Sequence, residues 1–198
     1  MTAHPKKYPD PHHDVASNTI FGFWVYLMTD CVLFGALFAT YAVLHNSTYG
    51  GPTAHELFNL PFSLAESLIL LVSSFTCGMA LVNAPNKPLR RILLWLGATF
   101  LLGAVFMGME LSEFRRLISE GNTWESNAFL SSYFTLIGTH GLHIIAGLMM
   151  LVVFAIQMVR RGLNPFILRR LTCLKMYWNF LYLIWIFTFT IVYLIGAK

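Results

Sequence analysis

Five long apolar stretches account for most of this 198-residue chain. Each contains enough residues to cross a hydrocarbon core of about 30 Å as a helix. None shows the alternation of a membrane β-strand, and lipid offers no hydrogen bonds to an open backbone, so helices are the spanning structure that fits. The sequence therefore predicts an all-α polytopic membrane protein, a five-transmembrane-helix bundle, with spans at about residues 20–45, 61–83, 89–110, 129–159 and 171–196.

The composition agrees with this interpretation. Hydrophobic residues make up 57% of the chain and charged residues only 11%, which excludes an ordinary soluble domain. Five spans leave room for a short tail and four short connections. We expect a flexible cytoplasmic tail at residues 1–19 and one transmembrane domain at residues 20–198. The first apolar stretch lacks a small-residue cleavage site, so we expect it to be retained as a helix.

Basic residues predict the orientation, because cytoplasmic segments carry the excess of Lys and Arg. Ten of the thirteen basic residues fall in the tail and in the second and fourth connections. The N-terminus is therefore predicted to be cytoplasmic and the C-terminus to lie outside. The same distribution accounts for the net charge of +4: anionic phospholipid head groups are the expected partners at helix ends, and nucleic acid is not.

Six ionisable residues lie in or near the spans, where each costs about 2.5–3.5 kcal/mol unless it faces protein or water. They are Asp30, Glu66, Glu110, Glu113, His140 and His143. At about 1.5 Å per residue, Asp30 reaches the same depth as the two histidines. Glu110 and Glu113 are placed near the outer rim, where Arg115 and Arg116 are possible partners. We expect Asp30 and Glu66 to be protonated or hydrogen-bonded to polar side chains.

Three interpretations of this set remain open from the residues alone. Metal or haem ligation is suggested by His140 and His143, but the other histidines near a span, His45 and His55, do not complete a ligand set. A proton-coupled transporter would use in-membrane carboxyl and imidazole groups, although neither repeats nor broken helices are evident. The third interpretation is a buried polar network that fixes helix packing, lipid or a partner subunit. Five aromatic residues toward span ends are expected to form interfacial belts: Trp24, Tyr41, Tyr177, Trp178 and Tyr193.

Four segments carry a resemblance to a known family. They are Phe21–Phe34 with Asp30, Phe75–Ala80, Gly103–Phe114 with its Glu-x-x-Glu-Phe motif, and Gly138–Gly147 with its His-Gly-Leu-His motif. These segments resemble subunit III of the haem-copper terminal oxidases, and the resemblance extends over essentially everything from residue 20 onward. Five helices beginning at the Asp30 helix match the shorter, cytochrome bo-type quinol oxidase branch.

The resemblance implies an accessory, non-catalytic subunit of a proton-pumping quinol:oxygen oxidoreductase of aerobic respiration, in the cytoplasmic (inner) membrane of a bacterium. It implies no cofactor on this chain, with haem and copper in subunit I. The implied partners are subunit I, subunit II, a small subunit IV and membrane phospholipids. Catalytic and metal-binding residues are not expected here, and the six ionisable residues would form a structural network at a lipid or subunit interface. The alternatives are subunit III of a cytochrome c oxidase or an independent proton-coupled transporter.

The last helix departs from the family pattern. The family has Trp-His-Phe-x-Asp-x-x-Trp where this chain has Trp178-Asn-Phe-Leu-Tyr-Leu-Ile-Trp185. Asn179 keeps hydrogen-bonding capacity, whereas Tyr182 is neutral and larger than the usual Asp. We expect the contacts of this helix with lipid or with a partner subunit to differ from those of the family.

Overall fold

Helices account for nearly all of the chain that the computed structural model describes, which is residues 11–48, 60–83 and 88–195. No strand occurs within these ranges. The helices are α1 (Pro11–Leu44), α2 (Leu60–Asn83), α3 (Leu89–Ser119), α4 (Ala128–Arg161) and α5 (Pro165–Thr188), and α5 continues as a π-helix at Phe189–Ile195. All five are long and apolar enough to span a membrane, so the predicted fold class is confirmed.

Three helix ends differ from the predicted spans. α1 begins at Pro11 within the predicted tail, α3 continues beyond Glu110 to Ser119, and α5 begins at Pro165 instead of residue 171. The spans follow apolarity, but a helix satisfies its own backbone and continues through the polar head-group layer until a cap or breaker stops it. Residues 1–10 of the predicted tail, with Lys87 and Lys198, lie outside the described residues.

Short caps define the connections around α4. The side chain of Asn127 accepts a hydrogen bond from the backbone N–H of Leu130 at 2.7 Å and so caps the first turn. Gly162 ends the helix at φ +68°, and its N–H donates to the carbonyl of Met158. A left-handed residue here favours glycine. Pro165 then opens α5, where its missing N–H costs nothing.

The helices pack as a four-membered ring with a fifth helix on one edge. In the ring, α2 contacts α3 and α5, and α4 contacts α3 and α5. α1 packs against α4 and α5. α1 and α2 therefore flank the same helix, α5, and a cleft lies between them. Large exposed apolar side chains cover the outer surface, as expected where lipid is the solvent.

Candidate functional site

Polar side chains connect α2 to α5 at successive levels of the bundle. Ser67 accepts a hydrogen bond from the indole N–H of Trp185 at 3.0 Å. Two turns along, Ser73 accepts one from the indole N–H of Trp178 at 3.1 Å. The hydroxyl of Ser74 donates to Oδ1 of Asn179 at 2.7 Å. These bonds connect two helices that are distant in sequence, and the sequence does not reveal which side chains the serines bond.

The structure brings Asp30 on α1 next to His143 on α4, as their depths predicted. Nε2 of His143 lies 3.9 Å from Oδ1 of Asp30, which is close enough for an electrostatic interaction and too far for a direct hydrogen bond. Nδ1 of His143 donates to the carbonyl of Thr139 at 2.7 Å. Tyr177 on α5 donates its hydroxyl to the carbonyl of His143 at 3.0 Å. His143 on α4 thus contacts α1 through its ring and α5 through its backbone carbonyl.

His140 lies one turn away in an aromatic enclosure. Its ring faces that of Trp185 at 5.2 Å between centroids and meets the rings of Phe106 and Phe34 edge-on at 5.8 and 6.4 Å. Nε2 donates to the carbonyl of Leu181 at 3.2 Å. The side chain is fully buried. Both rings contact Phe34, but their ring nitrogens face different partners: Leu181 for His140, and Thr139 with Asp30 for His143.

Glu113 is paired as predicted, but Glu110 is not. Arg116 donates to Oε1 of Glu113 at 2.5 Å. Glu110 lies well inside α3, because the helix continues to Ser119, and its side chain is buried against the backbone of Gly141 on α4. Neither carboxyl oxygen of Glu110 has a hydrogen-bond partner among the described residues. The predicted pairing of Glu110 with Arg115 or Arg116 is not found among the described residues, because the carboxyl group of Glu110 faces Gly141 on α4.

Glu66 on α2 is buried at the same end of the bundle and interacts electrostatically with Glu110 and Glu113. The hydroxyls of Tyr133 and Tyr193 lie 3.0 Å apart beside this carboxyl group cluster. Tyr193 belongs to the π-helical end of α5. Four of the five expected belt residues (Tyr41, Tyr177, Trp178 and Tyr193) are in fact buried. That prediction was wrong for them because position along a span does not reveal which way a ring points.

A cleft of about 580 Å³ opens between α1, α2 and α5. Its walls are largely apolar, with Ser74, Asn179 and Tyr182 as the polar exceptions, and it is lined by Trp24, Leu27, Met28, Cys31, Ser74, Met176, Asn179, Phe180, Tyr182 and Leu183. Both positions at which α5 departs from the family pattern face this cleft. The sequence difference at Asn179 and Tyr182 predicted altered contacts of α5. It did not predict the cleft, because the cleft depends on how each helix is rotated about its own axis, and this rotation cannot be read from the sequence.

Metal ligation was one of the open interpretations of the two histidines. Among the residues that the structure describes, no three His, Cys, Asp or Glu side chains are grouped so that they could hold a metal ion. Each histidine already donates one ring N–H to a backbone carbonyl. Of the six ionisable residues, Asp30 and His143 approach each other between α1 and α4, and His140 bonds from α4 to α5. Glu110 packs against Gly141 of α4, and Glu66 and Glu113 are buried or half-buried on α2 and α3.

Comparison with known proteins identifies close relatives. The sequence model of the family described as cytochrome c oxidase subunit III matches residues 8–197. The cytochrome bo(3) ubiquinol oxidase subunit 3 of Pseudomonas aeruginosa is 53% identical over 188 residues, which covers 95% of this chain and 90% of that protein. Its counterpart in Pseudomonas putida is 47% identical, over 93% and 89%. The cytochrome c oxidase subunit 3 of Bacillus sp. strain PS3 is 41% identical, over 90% and 86%.

Proposed function

Because this chain belongs to the cytochrome c oxidase subunit III family, and is thus a subunit III of a terminal oxidase, we propose that it serves a quinol-oxidising enzyme as an accessory subunit. Its role there is to stabilise the assembled complex and to hold phospholipid. Electron transfer, oxygen reduction and proton pumping take place on the haem and copper of subunit I. Quinol is favoured over cytochrome c because the more similar relatives are named ubiquinol oxidase subunits.

The observation that carries the accessory role is how the buried His140 and the half-buried His143 are bonded. His140 and His143 each donate a ring N–H to a backbone carbonyl and pack against aromatic rings. His140 bonds from α4 to α5, and a buried polar group that is bonded across helices in this way fixes the packing of helices for which lipid provides little hydrophobic driving force. The bond of His143 lies within α4, and its ring approaches Asp30 of α1. Asp30, Glu66, Glu110 and Glu113 complete the network as structural groups.

The lipid role is supported by the cleft between α1, α2 and α5. Its apolar lining and its volume of about 580 Å³ suit acyl chains. A groove of this kind on the surface of a membrane subunit is filled by lipid or by a neighbouring subunit, since an empty apolar groove forgoes packing on one side. We assign phospholipid to it, and subunits I and II with a small subunit IV to the remainder of the complex.

The orientation rests on charge. Arg160, Arg161, Arg169 and Arg170 flank the turn at Gly162 between α4 and α5. By the positive-inside rule this end of the bundle faces the cytoplasm of a bacterial cell. The N-terminus then lies in the cytoplasm and the C-terminus outside.

The experiment is to purify the complex through a tag on this chain, and to repeat the purification of the oxidase from cells that lack the chain. We expect a large haem-bearing partner to co-purify, with quinol as the electron donor, and the enzyme without this chain to assemble but to lose activity faster on warming. A chain that purifies alone, or an oxidase of unchanged amount, stability and turnover after its loss, contradicts the accessory role. Oxidation of reduced cytochrome c in place of quinol contradicts the assigned donor.

Cleft occupancy is tested separately. Cys31→Trp places an indole inside the cleft, whereas Val32→Trp changes the adjacent, outward-facing residue of α1. We expect the purified complex with Cys31→Trp to carry fewer bound phospholipids by native mass spectrometry than the wild type or the Val32→Trp complex. Equal lipid content in all three would remove the cleft as the lipid site.

A further inference from the structure

Three side chains that line the cleft between α1, α2 and α5 carry hydrogen-bond donors with no acceptor in the described part of the chain. They are the indole N–H of Trp24 on α1, and the amide NH₂ of Asn179 and the hydroxyl of Tyr182 on α5. The hydroxyl of Ser74 donates to Oδ1 of Asn179 at 2.7 Å, so the acceptor side of this amide is occupied and its NH₂ group is left for a ligand. The cleft therefore offers donors from two of its three helices.

The spacing and the surroundings of the two donors on α5 suit a flat ring. Asn179 and Tyr182 are three residues apart on one face of the helix, which is a rise of about 4.5 Å. The side chains around them are aromatic or carry a thioether: Phe180, Met28 and Met176. An apolar ring packs favourably against both kinds of side chain. A flat ring with acceptor oxygens at opposite edges is therefore complementary to this part of the cleft.

The lining of the cleft favours a neutral head group. Among the described residues that form it, none carries a charge. The family pattern has the ionisable His and Asp at the two positions that are Asn179 and Tyr182 in this chain. Lys175, one turn before Asn179, is not part of the lining, and its stem lies across Gly78 of α2, with Cε 3.9 Å from where a Cβ of that glycine would be. An ionic head in an uncharged apolar cleft would lose hydration without gaining a counter-ion.

A lipophilic quinone combines a flat neutral ring, carbonyl oxygens at opposite edges of the ring and a long prenyl tail. We propose that the cleft binds quinone in exchange with phospholipid, so that the ring carbonyls accept hydrogen bonds from Asn179 and Tyr182 and the tail lies between α1 and α5. The volume of about 580 Å³ is that of an ordinary small-ligand site.

This inference rests on the proposed service of a quinol-oxidising enzyme. It adds a place on this subunit where the lipophilic substrate or product of that enzyme is held. The proposal concerns binding alone, so no bond is formed or broken at this site. The acyl chains of phospholipid need only the apolar walls of the cleft, whereas the quinone ring also uses the donors of α5.

The test uses the intact oxidase complex with an azido-ubiquinone as the photoaffinity probe. After illumination, this chain is separated and its labelled peptides are mapped by mass spectrometry, so that quinone bound to other subunits is not counted. We expect label on the peptides that contain residues 24–31 of α1 and 176–183 of α5. An excess of unlabelled ubiquinone is expected to displace it.

Variants identify the donors. Tyr182→Phe keeps the ring and removes the hydroxyl, and the loss of one hydrogen bond is expected to lower the affinity for the probe about fivefold. Asn179→Asp replaces the amide donor by an acceptor of the same shape and is expected to lower the labelling as well. Thr40→Val is the matched control, because this exposed hydroxyl on α1 bonds only the carbonyl of Ala36 in its own helix.

The outcomes separate this inference from the proposed function. Cys31→Trp, which fills the cleft, is expected to remove the label, whereas Val32→Trp on the outer face of α1 keeps it. Label that is absent from these peptides, that excess ubiquinone does not displace, or that Tyr182→Phe leaves unchanged overturns quinone binding. A complex that oxidises quinol and retains phospholipid but takes no label in the cleft overturns this inference alone. Oxidation of cytochrome c in place of quinol contradicts the proposed function, and it is measured as turnover without the probe.

Discussion

The carboxyl group of Glu110 on α3 packs directly against the backbone of Gly141 on α4. A Cβ atom added at Gly141 would lie 3.1 Å from Oε1 of Glu110 and 3.2 Å from Cε of Met107. A helix that carries a buried carboxyl group can approach its neighbour this closely only where the neighbour has no side chain. The glycine inside the His-Gly-Leu-His motif is therefore a packing requirement of the α3–α4 contact.

Replacing this glycine tests the contact. Gly141→Ala is expected to destabilise the subunit by about 1–3 kcal/mol, since an added methyl group in a filled interior forces its neighbours to move. Gly138→Ala on the same helix is the control. A Cβ there meets nothing within 4 Å, and alanine should gain about 0.5–1 kcal/mol through its helix propensity. The temperature at which the purified oxidase releases this subunit measures both. Equal shifts for the two variants would contradict the assigned contact.

Trp178 provides a second case, because its indole lies between glycines of two helices. A Cβ at Gly147 on α4 would lie 2.9 Å from Cζ3 of Trp178, and one at Gly103 on α3 would lie 2.9 Å from Cζ2. We expect Gly147→Ala to lower the dissociation temperature, and to do so less when Trp178→Phe has already removed the outer part of the indole. Part of the penalty should remain, because Cε1 of Tyr177 lies 3.0 Å from the same Cβ. Gly108→Ala serves as the control, with nothing within 4 Å of its Cβ. An undiminished penalty in the double variant would show that the indole is not the obstacle.

The hydrogen bond between Ser67 and Trp185 is expected to couple α2 to α5. Ser67→Ala leaves a buried indole N–H without an acceptor, which costs about 1–3 kcal/mol. In a Trp185→Phe background the same change should cost far less, because the donor is gone. Ser112→Ala is the matched control: this exposed serine bonds only the carbonyl of Met109 within its own helix. A full double-mutant cycle on the thermal stability of the complex gives the coupling. If the effects of Ser67→Ala and Trp185→Phe on thermal stability are additive, the hydrogen bond does not stabilise the complex.

The five helices could be predicted from the sequence, but the rotation of each helix and the contacts between helices could not. Spans were predictable because the bilayer fixes their length and forbids an open backbone. The ends of the spans were less predictable: α3 continues beyond its apolar stretch to Ser119, and Glu113 and Arg116 pair within this last part of the helix. The depth of Asp30 followed from counting residues. Counting residues did not reveal whether Asp30 contacts His140 or His143, because the depth of a residue along α4 does not determine the rotation of the helix.

The cleft between α1, α2 and α5 could not be predicted from the sequence. Apolar residues face lipid, the interior and the cleft alike, so hydropathy does not distinguish Leu27 in the cleft wall from Val32 outside it. Polar residues give a better signal, and Ser67, Ser73 and Ser74 occupy nearby positions of one predicted span. Their spacing indicates polar faces of α2, but the side chains that they bond lie more than a hundred residues away: Trp185, Trp178 and Asn179. Only the packed structure pairs them.

The histidines provide the sharpest test of where the haem lies. Nε2 of His140 donates to the carbonyl of Leu181, and Nδ1 of His143 donates to that of Thr139. An axial haem ligand needs a ring nitrogen directed at an iron with space for a porphyrin, whereas the ring of His140 is enclosed by Phe106 and Trp185.

We therefore expect His140→Gln and His143→Gln to lower the amount or thermal stability of the complex while the ratio of haem absorbance to subunit I protein stays unchanged. The measurement is the reduced-minus-oxidised spectrum of equal amounts of purified complex. Thr135→Ala, an exposed change on the same helix, controls for nonspecific loss of assembly. Loss of one haem signal from the remaining complex in either histidine variant would assign that residue as a ligand and contradict the accessory role.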